Sequence, residues 1–210
     1  YFTPGQGTCV FEAGGVSVGL LICEDAWFDQ PAELAREAGA EVLAVINASP
    51  YHVGKEGERV ARMADRARAV RLPLVYAHLV GGQDEVVFDG ASFALRADGT
   101  PAIQAESFKE KLVFAQLERM PQGGVDLVAE PGAMAAPRDA EAQLWDALVL
   151  GVRDYIGKNG FPSAILGLSG GIDSALVLAI AVDALGKDKV RAVMMPSPYT
   201  ADISWIDARE

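Results

Sequence analysis

Apolar and polar positions along the chain alternate between strand-like and helix-like periods. Residues 16–22 form an apolar, β-branched run bounded by Gly14-Gly15 and the acidic Glu24-Asp25, which predicts a buried strand ending at Cys23. Residues 31–38 have helical composition with Gly39 as a stop, and 42–46 predict another buried strand that runs into the loop Asn47-Ala48-Ser49-Pro50. Over 58–72, Val60, Met63, Ala64, Ala67 and Val70 recur at three- and four-residue steps, the signature of an amphipathic helix. The arginines between them, Arg62, Arg66, Arg68 and Arg71, are expected on a solvated face or at a subunit contact. A third strand is predicted over 74–80.

Gly81-Gly82-Gln83-Asp84 reads as a loop, 86–88 and 91–96 as strands, and Asp98-Gly99 as a hairpin turn, with sheet building continuing to about Leu117. Pro, Gly and Ala then dominate 120–137, including Gly123-Gly124 and Pro131-Gly132, so the chain is expected to leave its first domain there, with a boundary near Ala136. Asp139 is a plausible N-cap for a helix reaching Lys158. A strand over 164–168, a helix over 175–185 stopped by Gly186 and a strand over 190–195 predict the start of a second, parallel sheet. The fold class is α/β.

Composition narrows the partners. Half of the 210 residues are hydrophobic, enough to bury a sizeable core, and the formal net charge of −11 argues against general affinity for nucleic acid or an anionic membrane. No stretch is long and apolar enough to cross a bilayer, and Tyr1-Phe2-Thr3-Pro4 lacks the pattern of a signal peptide, so a soluble protein is expected. The two cysteines, Cys9 and Cys23, form neither a disulfide framework nor a metal knuckle, which suits a reducing cytoplasm. The absence of an initial Met and the ending at Ala208-Arg209-Glu210 lead to the expectation of an interior segment of a longer polypeptide.

Gly167-Leu168-Ser169-Gly170-Gly171-Ile172-Asp173-Ser174 lies between a predicted strand and a predicted helix, where free N–H groups and the helix dipole favour an anion. Gly170 and Gly171 allow close approach of phosphoryl oxygens, and Ser169 and Ser174 supply hydroxyl donors. Neither a Walker A lysine nor GxGxxG spacing is present. Asp173 would repel phosphate unless a divalent cation lay between them, so the loop predicts Mg²⁺ at Asp173. Cys23, at a strand's carboxyl end, is a thiol that can be both held and open, although by position alone an ordinary buried cysteine is the commoner reading.

Ser169-Gly170-Gly171-Ile172-Asp173-Ser174 resembles the SGGxDS loop of the ATP pyrophosphatases, whose fold is an adenine-nucleotide α-hydrolase-like parallel sheet. Gly19-Leu20-Leu21-Ile22-Cys23-Glu24-Asp25-Ala26-Trp27-Phe28 resembles the nucleophile segment of nitrilase-type glutaminase domains, and Asn47-Ala48-Ser49-Pro50-Tyr51-His52 with Lys55 resembles their glutamine-recognition segment. Gly81-Gly82-Gln83-Asp84-Glu85, Phe88-Asp89-Gly90-Ala91-Ser92 and Met194-Met195-Pro196-Ser197-Pro198-Tyr199-Thr200 extend the two likenesses. In this order they resemble the glutamine-dependent NAD⁺ synthetase family, and the resemblance covers nearly the whole chain.

The resemblance implies part of a nitrilase-like αββα sandwich over 1–120, a linker over 121–137 and the start of the synthetase domain over 138–210. It implies an ATP-dependent carbon–nitrogen ligase that takes ammonia from glutamine and acts on deamido-NAD⁺, with ATP on residues 167–174 and often a homo-oligomeric assembly. Cys23 would be the nucleophile of a Cys-Glu-Lys triad whose other two members precede Tyr1, Glu24 would offer its N–H to the oxyanion, and Ser49 and Lys55 would bind the amino-acid end of glutamine. Trp27 and Phe28 are expected to pack in the core or border that pocket, and neither histidine, His52 nor His78, is given a catalytic role. Another SGGxDS-type amidotransferase and a non-catalytic ATP-binding or assembly fragment remain the alternative readings.

Overall fold

Two strands, β1 (Cys9–Ala13) and β2 (Val16–Ile22), pair antiparallel at the start of a computed structural model that describes residues 5, 7–128 and 132–209. The expectations for Tyr1-Phe2-Thr3-Pro4, for Pro131 of the linker and for Glu210 lie outside the described residues. A 3₁₀ turn (Cys23–Trp27), helix α1 (Asp29–Glu37), strand β3 (Val42–Asn47), helix α2 (Lys55–Val70) and strand β4 (Leu74–His78) follow, and β2, β3 and β4 run parallel. Helical crossovers are what parallel neighbours require.

The α-helices cover one face of the sheet. Ala32 and Ala35 of α1 and Met63, Ala64, Ala67 and Val70 of α2 bury against Leu21, Leu43, Val45, Leu74 and Tyr76. Each large apolar side chain so buried contributes roughly 1.5–3 kcal/mol. Gly19 permits the close fit, because a Cβ there would stand 2.9 Å from that of Ala35 and 3.0 Å from that of Ala40. Arg66 departs from the expected solvated face. It is 4% exposed, donates to the Ala26 carbonyl at 3.3 Å and pairs with Asp29. The helical period places it beside Met63 and Val70, where its long side chain reaches the backbone of the 3₁₀ turn.

The expected strand over 74–80 is interrupted after His78, and Gly81-Gly82-Gln83 is not a loop but part of strand β5 (Val80–Gln83), paired with β6 (Val86–Asp89). Gly82 is a glycine for closeness rather than for turning, since a Cβ would lie 3.2 Å from Cα of Gly151. Strands β7 (Phe93–Leu95) and β8 (Pro101–Gln104) join through the Asp98-Gly99 turn and complete a six-stranded sheet in the order β1-β2-β3-β4-β7-β8. This sheet with its helical layer supplies part of a nitrilase-like sandwich. Sheet building pauses over 105–116 and resumes as a hairpin, β9 (Leu117–Arg119) with β10 (Val125–Leu127), whose Leu127 packs on Ala94, Ala102 and Ile103. Gly123-Gly124, within the stretch expected as a linker, turn this hairpin.

The chain folds as two compact units, one made of Tyr1–Val80 and Phe88–Ala140, the other of Gly81–Val87 and Glu141–Glu210. The second contains α3 (Ala140–Lys158), β11 (Ala164–Gly167), α4 (Ile172–Leu185), β12 (Val190–Val193) and α5 (Asp202–Asp207). Strands β11 and β12 pair parallel, as the sequence pattern predicts. Helix α5 and strand β1 carry no comparable sequence signal. Within this unit Asp154 accepts the Gly82 N–H at 2.7 Å and Lys158 donates to the Gly82 carbonyl at 2.6 Å. Among the described residues no helix is long and apolar enough to cross a membrane.

Candidate active site

Parallel strands end together, so the residues that follow them meet at one edge. Ile22 pairs with Ile46, Ile46 with Ala77 and Asn47 with His78. Cys23, Asn47 and His78 therefore form a row along the carboxyl ends of β2, β3 and β4, the edge at which open α/β sheets bind ligands.

Cys23 is not the last strand residue but the first of the 3₁₀ turn, with φ at +50°, and it is partly exposed. A side chain held in the left-handed region costs of order 1–3 kcal/mol, a strain that clusters at functional positions. The Asp25 carboxylate accepts the Ile22 N–H at 3.0 Å and fixes the turn's entry. Four residues on, the Trp27 ring carries the Lys55 ammonium 4.4 Å from its centroid. Lys55 also binds Glu58 at 3.1 Å, and its side chain is only 16% exposed. The segment from Cys23 to Trp27 and Lys55 are thus brought together through an aromatic face, while Phe28 is 60% exposed.

Beneath the row lies a buried polar cluster. Asn47 donates to the Tyr76 hydroxyl, and Tyr76 stacks on Phe93 with centroids 4.6 Å apart. Burial holds the Tyr76 phenol protonated far above its usual range; Arg59 opposes the rise, and Cys23 and Asp89 add to it. His78 Nε2 lies 3.1 Å from both N and O of Ser49, and His78 Nδ1 stands 3.7 Å from Asp89 Oδ1. Arg59 closes the cluster by pairing with Asp89. Burial, then the Arg59 charge, depresses the His78 pKa, against the opposite pull of Asp89 and the backbone of Gly90 and Ser49. The sequence singles out neither Arg59 nor Tyr76, gives His78 no catalytic role and includes Asp89 only within the Phe88-to-Ser92 likeness. Their only signal was polarity at helix and strand positions that the period assigns to the interior.

The glycine loop belongs to the second unit and is built as the sequence predicts, between β11 and α4. Ser174 Oγ accepts the Ser169 N–H at 3.2 Å and donates to the Gly171 carbonyl at 2.9 Å, while Ser169 Oγ accepts the Gly171 N–H at 3.2 Å. Gly170 adopts φ +81°, and a Cβ there would meet the Ser204 carbonyl oxygen at 2.4 Å. Leu168 N–H is held by the Val193 carbonyl at 2.9 Å, and Ile172 is 81% exposed. Asp173 stands exposed in the first turn of α4. Among the described residues no three His, Cys, Asp or Glu side chains group to hold a metal.

Residues 1–120 match the family model of carbon-nitrogen hydrolase, and residues 144–210 match that of NAD synthase. The chain is 45% identical over 210 residues to the glutamine-dependent NAD(+) synthetase of Acinetobacter baylyi, covering 100% of this chain and 38% of that protein. It is 46% identical over 209 residues to the enzyme of that name from Rhodobacter capsulatus, covering 100% of this chain and 37% of that protein. The solved glutamine-dependent NAD⁺ synthetase of Acinetobacter baumannii, in complex with adenosine diphosphate, is 43% identical with a TM-score of 0.91, covering 100% of this chain and 39% of that one. The chain thus spans well under half the length of the proteins it matches. With the family model matching more than half of its residues, on the sheet that carries Cys23, the chain belongs to the carbon-nitrogen hydrolase family.

Proposed function

We propose that this chain is the part of a glutamine-hydrolysing NAD⁺ synthetase that joins the glutaminase to the ATP-activating domain. The observation that carries the reading is the strained Cys23 at the shared strand edge, on the same chain as the Ser169-to-Ser174 loop and within a similarity to enzymes of that name that runs over the whole of this chain. The proposed division is a glutaminase part over 1–120, a linker over 121–137 and a synthetase part over 138–210.

In the first site Cys23 attacks the glutamine carboxamide carbon, forming a γ-glutamyl thioester as the C–N bond breaks and ammonia leaves. Water then displaces the thiol and yields glutamate. The triad's Glu and Lys are assigned outside these 210 residues, and the Glu24 N–H, at the start of the 3₁₀ turn, is available to the oxyanion. Ser49 and Lys55 are assigned to the amino-acid end of glutamine, where a hydroxyl and a cation suit the α-carboxylate.

In the second site the loop holds the ATP phosphates while the carboxylate of deamido-NAD⁺ attacks the α-phosphorus, releasing pyrophosphate. Ammonia then attacks the acyl carbon of the adenylate, and AMP leaves. Activation is needed because a carboxylate is a poor acyl donor to ammonia. Gly167, Leu168, Ser169, Gly170, Gly171, Ile172, Asp173 and Ser174 are the assigned ATP contacts. One exposed carboxylate, Asp173, with phosphate oxygens fits the way Mg²⁺ is held by nucleotide enzymes, where the ion would neutralise phosphate charge. Two free cysteines suit a reducing cytoplasm, and Leu112 and Phe114, 79% and 75% exposed, support a homo-oligomer.

The test is NAD⁺ formation by Cys23→Ala in a polypeptide of the relatives' full length, given ATP, Mg²⁺ and deamido-NAD⁺ with either glutamine or ammonium. Activity lost with glutamine and kept with ammonium is expected. Full activity with glutamine removes Cys23 from the mechanism, and loss with both nitrogen sources overturns the assignment.

A further inference from the structure

We infer that His78 is a positioning residue for glutamine recognition: its imidazole, oriented by Asp89, fixes the backbone of Ser49 and with it the loop that leaves β3 beside Cys23. The inference rests on the glutaminase reading above.

The His78 and Asp89 side chains are 0% and 1% exposed, and His78 Nδ1 and Asp89 Oδ1 have no hydrogen-bond partner, yet the two atoms face each other across 3.7 Å. A carboxylate only accepts, so the tautomer that suits both atoms carries its proton on Nδ1. Nε2 then presents a lone pair to the N–H of Ser49, 3.1 Å away, and with the proton on Nε2 it donates instead to the Ser49 carbonyl at the same distance, so either form holds that main chain. Arg59 compensates the Asp89 charge, so a neutral imidazole leaves the cluster balanced, and Tyr76, stacked 6.1 Å from the ring, adds no charge while protonated. The backbone of His78 is itself fixed, its N–H donating to Ser92 Oγ at 2.9 Å. The tether engages the main chain of Ser49 and leaves the hydroxyl for a ligand. Shifting that main chain displaces the hydroxyl from the ligand group it would hold, which weakens binding of glutamine and leaves the Cys23 thiol in place.

The experiment uses the full-length enzyme with His78→Ala, His78→Asn and His78→Gln. A glutamine amide reaches the place of Nε2, whereas an asparagine amide reaches only that of Nδ1. His78→Ala and His78→Asn are expected to raise the glutamine KM about tenfold, the size of one lost hydrogen bond in a binding site, with glutaminase kcat held within about twofold. The rate at which iodoacetamide alkylates Cys23 and the ammonium-dependent synthesis of NAD⁺ are expected to stay at wild-type values. His78→Gln is expected to restore KM to within about threefold of wild type. An unchanged KM in His78→Ala, no recovery in His78→Gln, or a parallel fall of kcat and alkylation would each overturn the positioning role. Failure of the underlying reading is separate, since it shows as glutamine-dependent activity that survives Cys23→Ala.

Discussion

The guanidinium of Arg59 and the carboxylate of Asp89 form an ion pair in which each side chain is 1% exposed. One partner comes from the first turns of α2 and the other from the end of β6, so the pair ties helix to sheet edge directly under His78. Two further nitrogens of Arg59, Nε and Nη1, are buried without a partner, so the pair depends on Asp89 for its compensation.

Breaking such a pair from one side leaves an uncompensated buried charge. Asp89→Ala is therefore expected to destabilise the chain by about 3–5 kcal/mol, while the double replacement Arg59→Met with Asp89→Leu recovers most of that loss. Urea unfolding of the two variants measures this. If the double variant is as unstable as the sum of the single ones, the cost lies in packing and not in charge.

The backbone at Cys23 gives a second expectation. Alanine at φ +50° keeps the strain and glycine removes it, so Cys23→Gly is expected to be as stable as Cys23→Ala or more stable, by up to about 1 kcal/mol. In an ordinary helical turn the same change is destabilising. A thermal comparison in which glycine is clearly the weaker residue would place Cys23 in relaxed backbone.

Much of this was legible in the sequence because the strands are continuous apolar runs and the helices are amphipathic. The strand Val16–Ile22 is legible to within one residue, its expected end falling at Cys23, and α2 is legible from Met63, Ala64, Ala67 and Val70. The candidate nucleophile and the glycine loop are legible as local motifs, since each lies within ten consecutive residues. The polar cluster is not, because Arg59, His78 and Asp89 are brought together by tertiary pairing and nothing within one local segment links them. Arg66 was misread for the same reason, and Gly81-Gly82 because close approach and turn formation call for the same residue.

The buried imidazole also predicts a pH dependence. His78 has its folded-state pKa below the ordinary 6.5, so the unfolded chain binds the extra proton and the stabilisation, present above that value, is lost as pH falls through the folded pKa. Glu56 acts oppositely: burial raises it above 4.5, against its Ser107 hydrogen bond, so its contribution is present below 4.5 and lost as pH rises through the folded pKa. As pH falls from about 7 through 6.5 and below, the histidine lowers the stability of the wild type, and its urea midpoint is expected to fall where that of His78→Gln does not. Parallel curves for the two proteins would assign the dependence to other groups.

In the glycine loop, neighbouring glycines are expected to behave differently. Gly170 combines φ +81° with a Cβ position 2.4 Å from the Ser204 carbonyl oxygen, so Gly170→Ala must displace backbone and is expected to cost at least about 1–3 kcal/mol. Gly171 has φ −91°, and its Cβ would meet only Ser169 Oγ at 3.4 Å, so Gly171→Ala is expected to leave stability within about 0.5 kcal/mol while weakening phosphate binding. Thermal unfolding and ATP titration of both variants separate the two effects. Equal destabilisation would mean that α5 does not constrain the loop.

Asp173 offers the last test, and its value is in the sign. The residue sits where the free N–H groups of α4 attract an anion, and its own charge opposes that attraction. Without a divalent cation, Asp173→Asn removes a repulsion, so it is expected to bind metal-free ATP as tightly as wild type or more tightly. With Mg²⁺ the order reverses, because wild type gains a carboxylate–metal contact that asparagine supplies only weakly. Calorimetric titration of ATP, with Mg²⁺ and with chelator, measures both affinities on wild type and variant without relying on turnover. If the two proteins bind identically in both conditions, Asp173 is a surface residue of the first helical turn and the ion, where one binds, is held by other groups.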